Sequence, residues 1–348
     1  MRPLCERAGP RLSSGRRPNR MLRGVIGGLL ELDTVMTSRR RRHDEAVCHQ
    51  RAWNSITALN HDEGMMQQVS PATPSPHILK GKRRYGAMRS ARGLYYTDTG
   101  GTGEPILFIH GWGASTRYFD WVIERLPDLR CIAVDLPGFG RSAGLAADIP
   151  CTIPALVGAV HGLVVDLGVR PVICGHSMGG MVAQEFALRY PEDLGGLILL
   201  ATSPDPARER RWRFLVPLSP LIYPFGFRPC MRWFARRYAM NASRASPEAI
   251  ALIGDIAVRN GKRRLRACIR GMRCWSALDR LGRIAVPTLV IHGDADWMID
   301  IAAMDLLVGG IPGARGEVIE GVGHSPTLEA PDRTAELIGG FVEDIMGA

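Results

Sequence analysis

The sequence predicts an α/β protein: an open, mostly parallel, doubly wound sheet with a helical cap inserted into it. Three observations carry that expectation. Short apolar runs alternate with stretches of helical period from about residue 94 onward. One run, Val172-Ile173-Cys174, stops at Gly175-His176-Ser177-Met178-Gly179, and a helical pattern starts at once. The alternation breaks between residues 205 and 283, where the chain turns helical, Arg-rich and aromatic, and then resumes.

Residues 1–80 are rich in arginine, broken by Gly and Pro, and poor in apolar periodicity, so they read as a disordered basic tail. Arg39-Arg40-Arg41-Arg42 is a charge run, and Ser70-Pro71-Ala72-Thr73-Pro74-Ser75-Pro76 marks a linker at the tail's end. Val25 to Leu30 is too short for a secretory signal, and Arg16-Arg17 is a poor twin-arginine match. The same composition suits an organelle transit segment, or translation beginning at Met36, Met65, Met66 or Met88.

The core then occupies residues 81–204 and 284–348. Tyr95-Tyr96-Thr97 before Asp98-Thr99-Gly100-Gly101 reads as a hairpin strand entering its turn. Ile106 to Ile109 and Cys131 to Val134 are continuous apolar runs, as expected of parallel strands covered on both faces. A helix is expected from Ile153 to Leu167. After the Ser177 turn, another is marked by Val182, Ala183, Phe186, Ala187 and Tyr190 at three- and four-residue steps. Leu197 to Leu200 is the next strand, and residues 205–283 form the inserted lid. Thr288 to Ile291 and a strand near Gly316 to Glu320 complete the sheet, and an amphipathic helix from Asp332 to Ile345 closes the chain.

The chain has 348 residues, of which 46% are hydrophobic and 22% charged, as in ordinary globular proteins. Its formal charge of +10 is unevenly distributed. Residues 1–93 hold 18 basic and 7 acidic side chains, and residues 205–283 hold 18 and 5; the remaining body holds 8 and 22. A basic tail and a basic insertion on an acidic core do not make one continuous basic face, so no nucleic-acid partner is expected. The eight cysteines show no CxxC pair, giving neither a disulfide framework nor a zinc signature. No run approaches the ~20 apolar residues of a membrane span. A reducing, cytoplasmic setting is expected.

A strand that ends in Gly-x-Ser-x-Gly and passes straight into a helix is a nucleophile elbow. Glycines flank the serine because so tight a turn leaves no room for side chains. The turn places Ser177 at a helix N-terminus, where backbone amides meet a developing negative charge.

Over residues 93–346 the sequence resembles the α/β-hydrolase fold family with a cap after the sixth strand. The matching residues are His110-Gly111-Trp112-Gly113, Asp135-Leu136-Pro137-Gly138-Phe139-Gly140-Arg141-Ser142, the elbow, Gly293-Asp294-Ala295-Asp296 and Gly323-His324-Ser325-Pro326. The resemblance implies a triad in the order Ser177, Asp296, His324. It assigns the oxyanion hole to the backbone N–H groups of Trp112 and Met178, leaving their side chains to line an acyl pocket. Loss of one such donor typically lowers the rate about 100- to 1000-fold. Asp294 and Asp300 rival Asp296, which the family's Gly-x-x-Asp spacing favours. His110, His161, His176 and His292 are assigned to structure, and the Asp135 loop to shaping the floor beneath the cap.

The implied chemistry is cleavage of a carboxylic ester or thioester through an acyl-enzyme, with no metal or organic cofactor. The expected substrate is a small acyl ester, anionic or carrier-bound, and the basic aromatic cap allows peripheral membrane contact. Two stretches, His110 to Gly113 and Val134 to Ser142, are also similar to the esterases that cleave pimeloyl-carrier methyl esters. The elbow, however, has a form shared by many lipases, enol-lactonases, peroxidase-like enzymes and carbon–carbon-bond hydrolases. Hydrolysis of a dienone-type acid, with cap arginines binding its carboxylate, is therefore an alternative, as is a catalytically idle binder.

Overall fold

The computed structural model describes residues 86–90, 92–146, 149–209, 227–260 and 262–347. The expectations for the tail, residues 1–80, lie outside them, as does part of the inserted aromatic segment.

Eight strands form one sheet in the order β1-β2-β4-β3-β5-β6-β7-β8. They are β1 (Gly86–Arg89), β2 (Tyr95–Asp98), β3 (Pro105–Ile109), β4 (Arg130–Val134), β5 (Val172–His176), β6 (Gly196–Leu200), β7 (Thr288–Gly293) and β8 (Arg315–Ile319). β1 and β2 pair antiparallel, β2 pairs antiparallel with β4, and every other pairing is parallel. The sequence reading missed β1 and placed the hairpin turn after Thr97. In the structure the turn lies before Tyr95, and the Gly93 N–H donates to the Ser90 carbonyl there at 2.9 Å. The strand was hidden because Gly86-Ala87-Met88-Arg89 has neither β-branched residues nor alternation.

The helices are α1 (Asp120–Ile123), α2 (Ile153–Leu167), α3 (Met178–Arg189), α4 (Phe227–Phe234), α5 (Pro247–Val258), α6 (Lys262–Arg273), α7 (Ala302–Gly310), α8 (Pro326–Glu329) and α9 (Pro331–Met346). Their ends follow local chemistry. Thr152 caps α2 by accepting from the Ala155 N–H, Pro154 sits in its first turn, and Gly168 ends it at φ 61°. Ser246 caps α5 by accepting from the Ala249 N–H, with Pro247 in the first turn.

Side chains of successive strand residues enter opposite faces, which explains the continuous apolar runs. Leu107 and Ile109 of β3 and Leu197 and Leu199 of β6 pack on the side of α2 and α3. Ile106, Phe108, Ile198 and Leu200 pack on the other side, with Val122 of α1 and Ile338 and Phe341 of α9. Two buried layers flank one sheet, the doubly wound architecture the sequence predicts.

Helices α4 to α6 belong to the segment between β6 and β7. α6 is sharply two-faced: Leu265, Cys268, Ile269 and Met272 are buried, whereas Arg263, Arg266, Arg270 and Arg273 are exposed. Among the described residues no helix is long and apolar enough to cross a membrane.

Cys151, just before α2, forms a disulfide with Cys268 of α6. This corrects the expectation that the cysteines build no disulfide. Spacing could not reveal a bridge whose halves are 117 residues apart and meet only after the insertion folds back on the core. Closing so long a loop stabilises by up to about 5 kcal/mol in the chain-entropy account. Cys268→Ser is therefore expected to lower the Tm under non-reducing conditions. A thiol reductant should lower the wild-type Tm similarly and leave the variant unmoved; a reductant effect of equal size in both would place the bridge outside the stabilising interactions.

Candidate active site

β5 delivers Ser177 to the C-terminal edge of the sheet, and α3 begins at the next residue. Ser177 has φ 52° and ψ −115°, one of two non-glycine residues with positive φ among the described residues. A serine is held there because its neighbours forbid a relaxed turn. A Cβ on Gly179 would lie 2.1 Å from the Ile109 carbonyl oxygen, and one on Gly175 would lie 2.4 Å from the Gly179 carbonyl oxygen. Helix and sheet pass so closely that only glycine fits. The Ser177 N–H donates to the Leu200 carbonyl at 2.9 Å, and the Thr202 hydroxyl donates to the Ser177 carbonyl at 2.7 Å.

His324 follows β8, and Asp296 follows β7. The His324 Nδ1 lies 2.7 Å from Asp296 Oδ2, and its Nε2 lies 3.0 Å from Ser177 Oγ. A carboxylate only accepts, so Nδ1 carries the proton and Nε2 offers its lone pair to the serine hydroxyl. All three side chains are buried. Burial pushes the Asp296 carboxyl up, but the adjacent His324 imidazole, with further hydrogen bonds, outweighs it and holds the group below the usual carboxylate range. The other oxygen of Asp296 accepts from the N–H groups of Met298 (2.7 Å) and Ile299 (3.0 Å), which fixes its plane.

The rival acids are engaged elsewhere. Asp294 accepts from the Gly321 N–H at 2.6 Å, and Asp300 accepts from the Ala302 N–H at 3.1 Å. Asp135 accepts from the N–H groups of Thr116 and Arg141, so it shapes its loop. Among the histidines, His110 accepts from the Leu136 N–H, and His161 bonds Asp193 away from the cavity that Ser177 lines. His176 sits beside the site, donating from Nε2 to the His324 carbonyl at 2.7 Å. Burial, with the neighbouring His324, lowers its pKa to about 3, so it stays neutral and does not compete as a base. His292, read as structural, is placed 3.5 Å from Asp296 Oδ2 and donates to the Ile299 carbonyl at 3.2 Å.

The turn after β3 abuts the serine: a Cβ on Gly111 would lie 3.1 Å from Ser177 Cβ. Trp112 lines the cavity above Ser177, and its indole N–H donates to the Leu265 carbonyl of α6 at 2.9 Å. Met178 differs from expectation. Its side chain is fully buried in the core on the α2 and α3 side and does not line the cavity. As the first residue of α3 it points its side chain back beneath the sheet's edge, leaving only its backbone near the serine.

The rest of the cavity wall is mostly apolar, with Met231 and Phe234 of α4, Ile253 and Ile256 of α5, and Met298, beside Tyr118 and Ser325. Among the described residues no arginine lines it. Arg228 and Arg232 face Asp255 of α5, while Arg264 donates to the Pro137 and Ile149 carbonyls. Sequence reasoning missed two buried polar residues. Asn260 donates to the Gly113 carbonyl at 2.6 Å and accepts from the Gly140 N–H at 3.0 Å, tying the insertion to two core loops. Glu329 accepts from three backbone N–H groups around His324. Neither belongs to a motif with a chemical signature; only their later burial marks them.

Gly179→Ala is expected to destabilise the protein by at least about 3 kcal/mol, because the Ile109 carbonyl cannot move without breaking the sheet. Chemical denaturation checks this; a variant as stable as wild type would show that the elbow is not close-packed.

Residues 104–331 match the family model of the alpha/beta hydrolase fold. The pimeloyl-[acyl-carrier protein] methyl ester esterase of a Shewanella species is 38% identical over 213 residues, covering 59% of this chain and 78% of that protein. The enzyme of that name from Aeromonas hydrophila is 28% identical over 252 residues, covering 70% and 96%. Among solved structures, a thermophilic esterase from Thermogutta terrifontis is 30% identical with a TM-score of 0.63, covering 76% of this chain and 99% of the other. Sheet order, elbow and sequence matches agree: the chain belongs to the α/β-hydrolase fold family, among its carboxylic ester hydrolases.

Proposed function

We propose that the protein cleaves the ester of an apolar acyl chain through an acyl-enzyme on Ser177. The single observation that carries this reading is the unbroken line from Ser177 Oγ through His324 to Asp296. A neutral serine hydroxyl is a weak nucleophile. His324 takes its proton as the Oγ–carbonyl bond forms and returns it to the departing alkoxide; water then repeats the sequence to release the acid. Asp296 holds the tautomer and stabilises the imidazolium. The backbone N–H groups of Met178 and Trp112 receive the oxyanion.

Helices α4 and α5 act as a lid whose inner face, with Met231, Phe234, Ile253 and Ile256, accepts the acyl chain. That apolar wall favours an ester with an aliphatic acyl group over a dienone acid needing a carboxylate clamp, and the complete serine–histidine–aspartate line favours an enzyme over an idle binder. The outer face of the lid is basic. Pro229, Trp233, Arg236 and Arg237 recur along one exposed helical stripe. This suits an acyl group delivered by an acidic carrier, as in the names of the relatives. Trp233, 51% exposed on the stripe that carries Arg236 and Arg237, favours a second reading in which the stripe rests on an anionic lipid surface. The Cys151–Cys268 bridge favours an oxidising compartment over the reducing, cytoplasmic setting that the sequence suggests, since disulfides persist where conditions are oxidising.

Turnover of a p-nitrophenyl acyl ester series tests the proposal. Ser177→Ala should abolish it, and Asp296→Asn should lower kcat about 10²- to 10⁴-fold while the protein stays folded. Undiminished turnover in either variant would overturn the assignment. A carrier-held ester should be preferred over the free ester at low salt and lose that preference as salt rises.

A further inference from the structure

Resting on that reading, we propose that Glu329 is a positioning residue that holds His324 against Ser177 and makes its placement depend on the seating of the lid.

Glu329 is the last residue of α8, and its side chain is buried. Its Oε1 accepts from the Ser325 N–H at 2.9 Å, and its Oε2 accepts from the Gly323 N–H at 2.9 Å. These are the residues immediately before and after His324. Oε2 also accepts from the N–H of Asn241 at 2.7 Å, in the segment that follows α4. Among the described residues no arginine or lysine forms an ion pair with this carboxylate; it accepts from three backbone amides.

A buried carboxylate is costly, and here three backbone N–H donors, which an apolar side chain would leave without this acceptor, offset that cost. What the carboxylate adds is geometry. One oxygen holds the Ser325 N–H, in the peptide that leaves His324, and the other holds the Gly323 N–H, one peptide before the one that enters it; the backbone is thus pinned on both sides of His324, and with it the direction of its Cα–Cβ bond. The imidazole is thereby left with little freedom except rotation about its own side-chain bonds, which Asp296 and Ser177 set from either end.

The third amide brings in the lid. Asn241 also donates from its side chain to the Gly321 carbonyl at 2.8 Å, and the Ser325 hydroxyl donates to the Ala239 carbonyl at 3.2 Å. A Cβ on Gly323 would lie 2.7 Å from the Asn241 nitrogen, so the two segments touch at backbone distance. The segment 239–241 continues from α4, whose Met231 and Phe234 line the acyl cavity. Lid position and base position therefore share one carboxylate.

Glu329→Gln and Glu329→Ala test the inference, with the burst of p-nitrophenol counting working sites. In the Gln variant, an acceptor oxygen survives on one side and an NH₂ faces a backbone N–H on the other. Its kcat per working site is expected to fall about 10- to 100-fold with KM within about threefold. The Ala variant should fall further. Circular dichroism and the Tm establish that each variant is folded. A purely structural role would lower burst amplitude and leave the rate per site unchanged; that result, or a Gln variant within twofold of wild type, would overturn the inference. Wild-type turnover that survives Ser177→Ala would instead remove the acyl-enzyme reading on which it rests.

Discussion

The contact that the rest of the site depends on is the close passage of α3 over the end of β3, where Gly179 meets the Ile109 carbonyl. Because nothing larger than hydrogen fits, the helix starts directly at the strand end and Ser177 is forced to positive φ. The conformational cost of order 1 to 3 kcal/mol is met by two well-packed layers on either side of the sheet. Ser177 thus stands at a fixed height, and the strand ends of β7 and β8, which lie beside one another in the sheet, bring Asp296 and His324 into hydrogen-bonding line with it.

The insertion is fastened to the core on both sides of the serine. On one side Asn260 and the Trp112–Leu265 bond tie it to the turn after β3, and Cys151–Cys268 adds a covalent link nearby on α6. On the other, Asn241 and Ser325 tie it to the His324 loop. The hydrogen bonds among these links each use a backbone atom and are buried or half-buried, which limits solvent competition. The exposed arginines of α6 face outward, where charge governs encounter with a charged molecule.

The fold and the site were unequally legible in the sequence. Strands such as Ile106 to Ile109 and Leu197 to Leu200 were plain because both faces are buried, and Ile153 to Leu167 was plain because Thr152, Pro154 and Gly168 mark its ends. Ser177, Asp296 and His324 stand out in the sequence because each sits in a glycine-marked turn after a strand, and in the structure their side chains meet at hydrogen-bond distance. β1 does not stand out, since edge pairing depends on backbone and leaves no side-chain pattern. The Cys151–Cys268 bridge, Asn260 and Glu329 were hidden for a different reason. Their meaning lies in partners far away in the chain, brought together only when the insertion folds onto the core. The Met178 side chain lies off the cavity because helix geometry turns the first residue of α3 back into the core, a direction that a motif does not carry.

The measurement that tests the account most directly is the reaction of the purified full chain with a fluorophosphonate, followed by mass mapping of the adduct. The account predicts one adduct per chain, carried by Ser177, formed at least about 100-fold more slowly when His324 is replaced by Ala. A folded wild-type protein that forms no adduct, or carries it on another residue, would contradict the account.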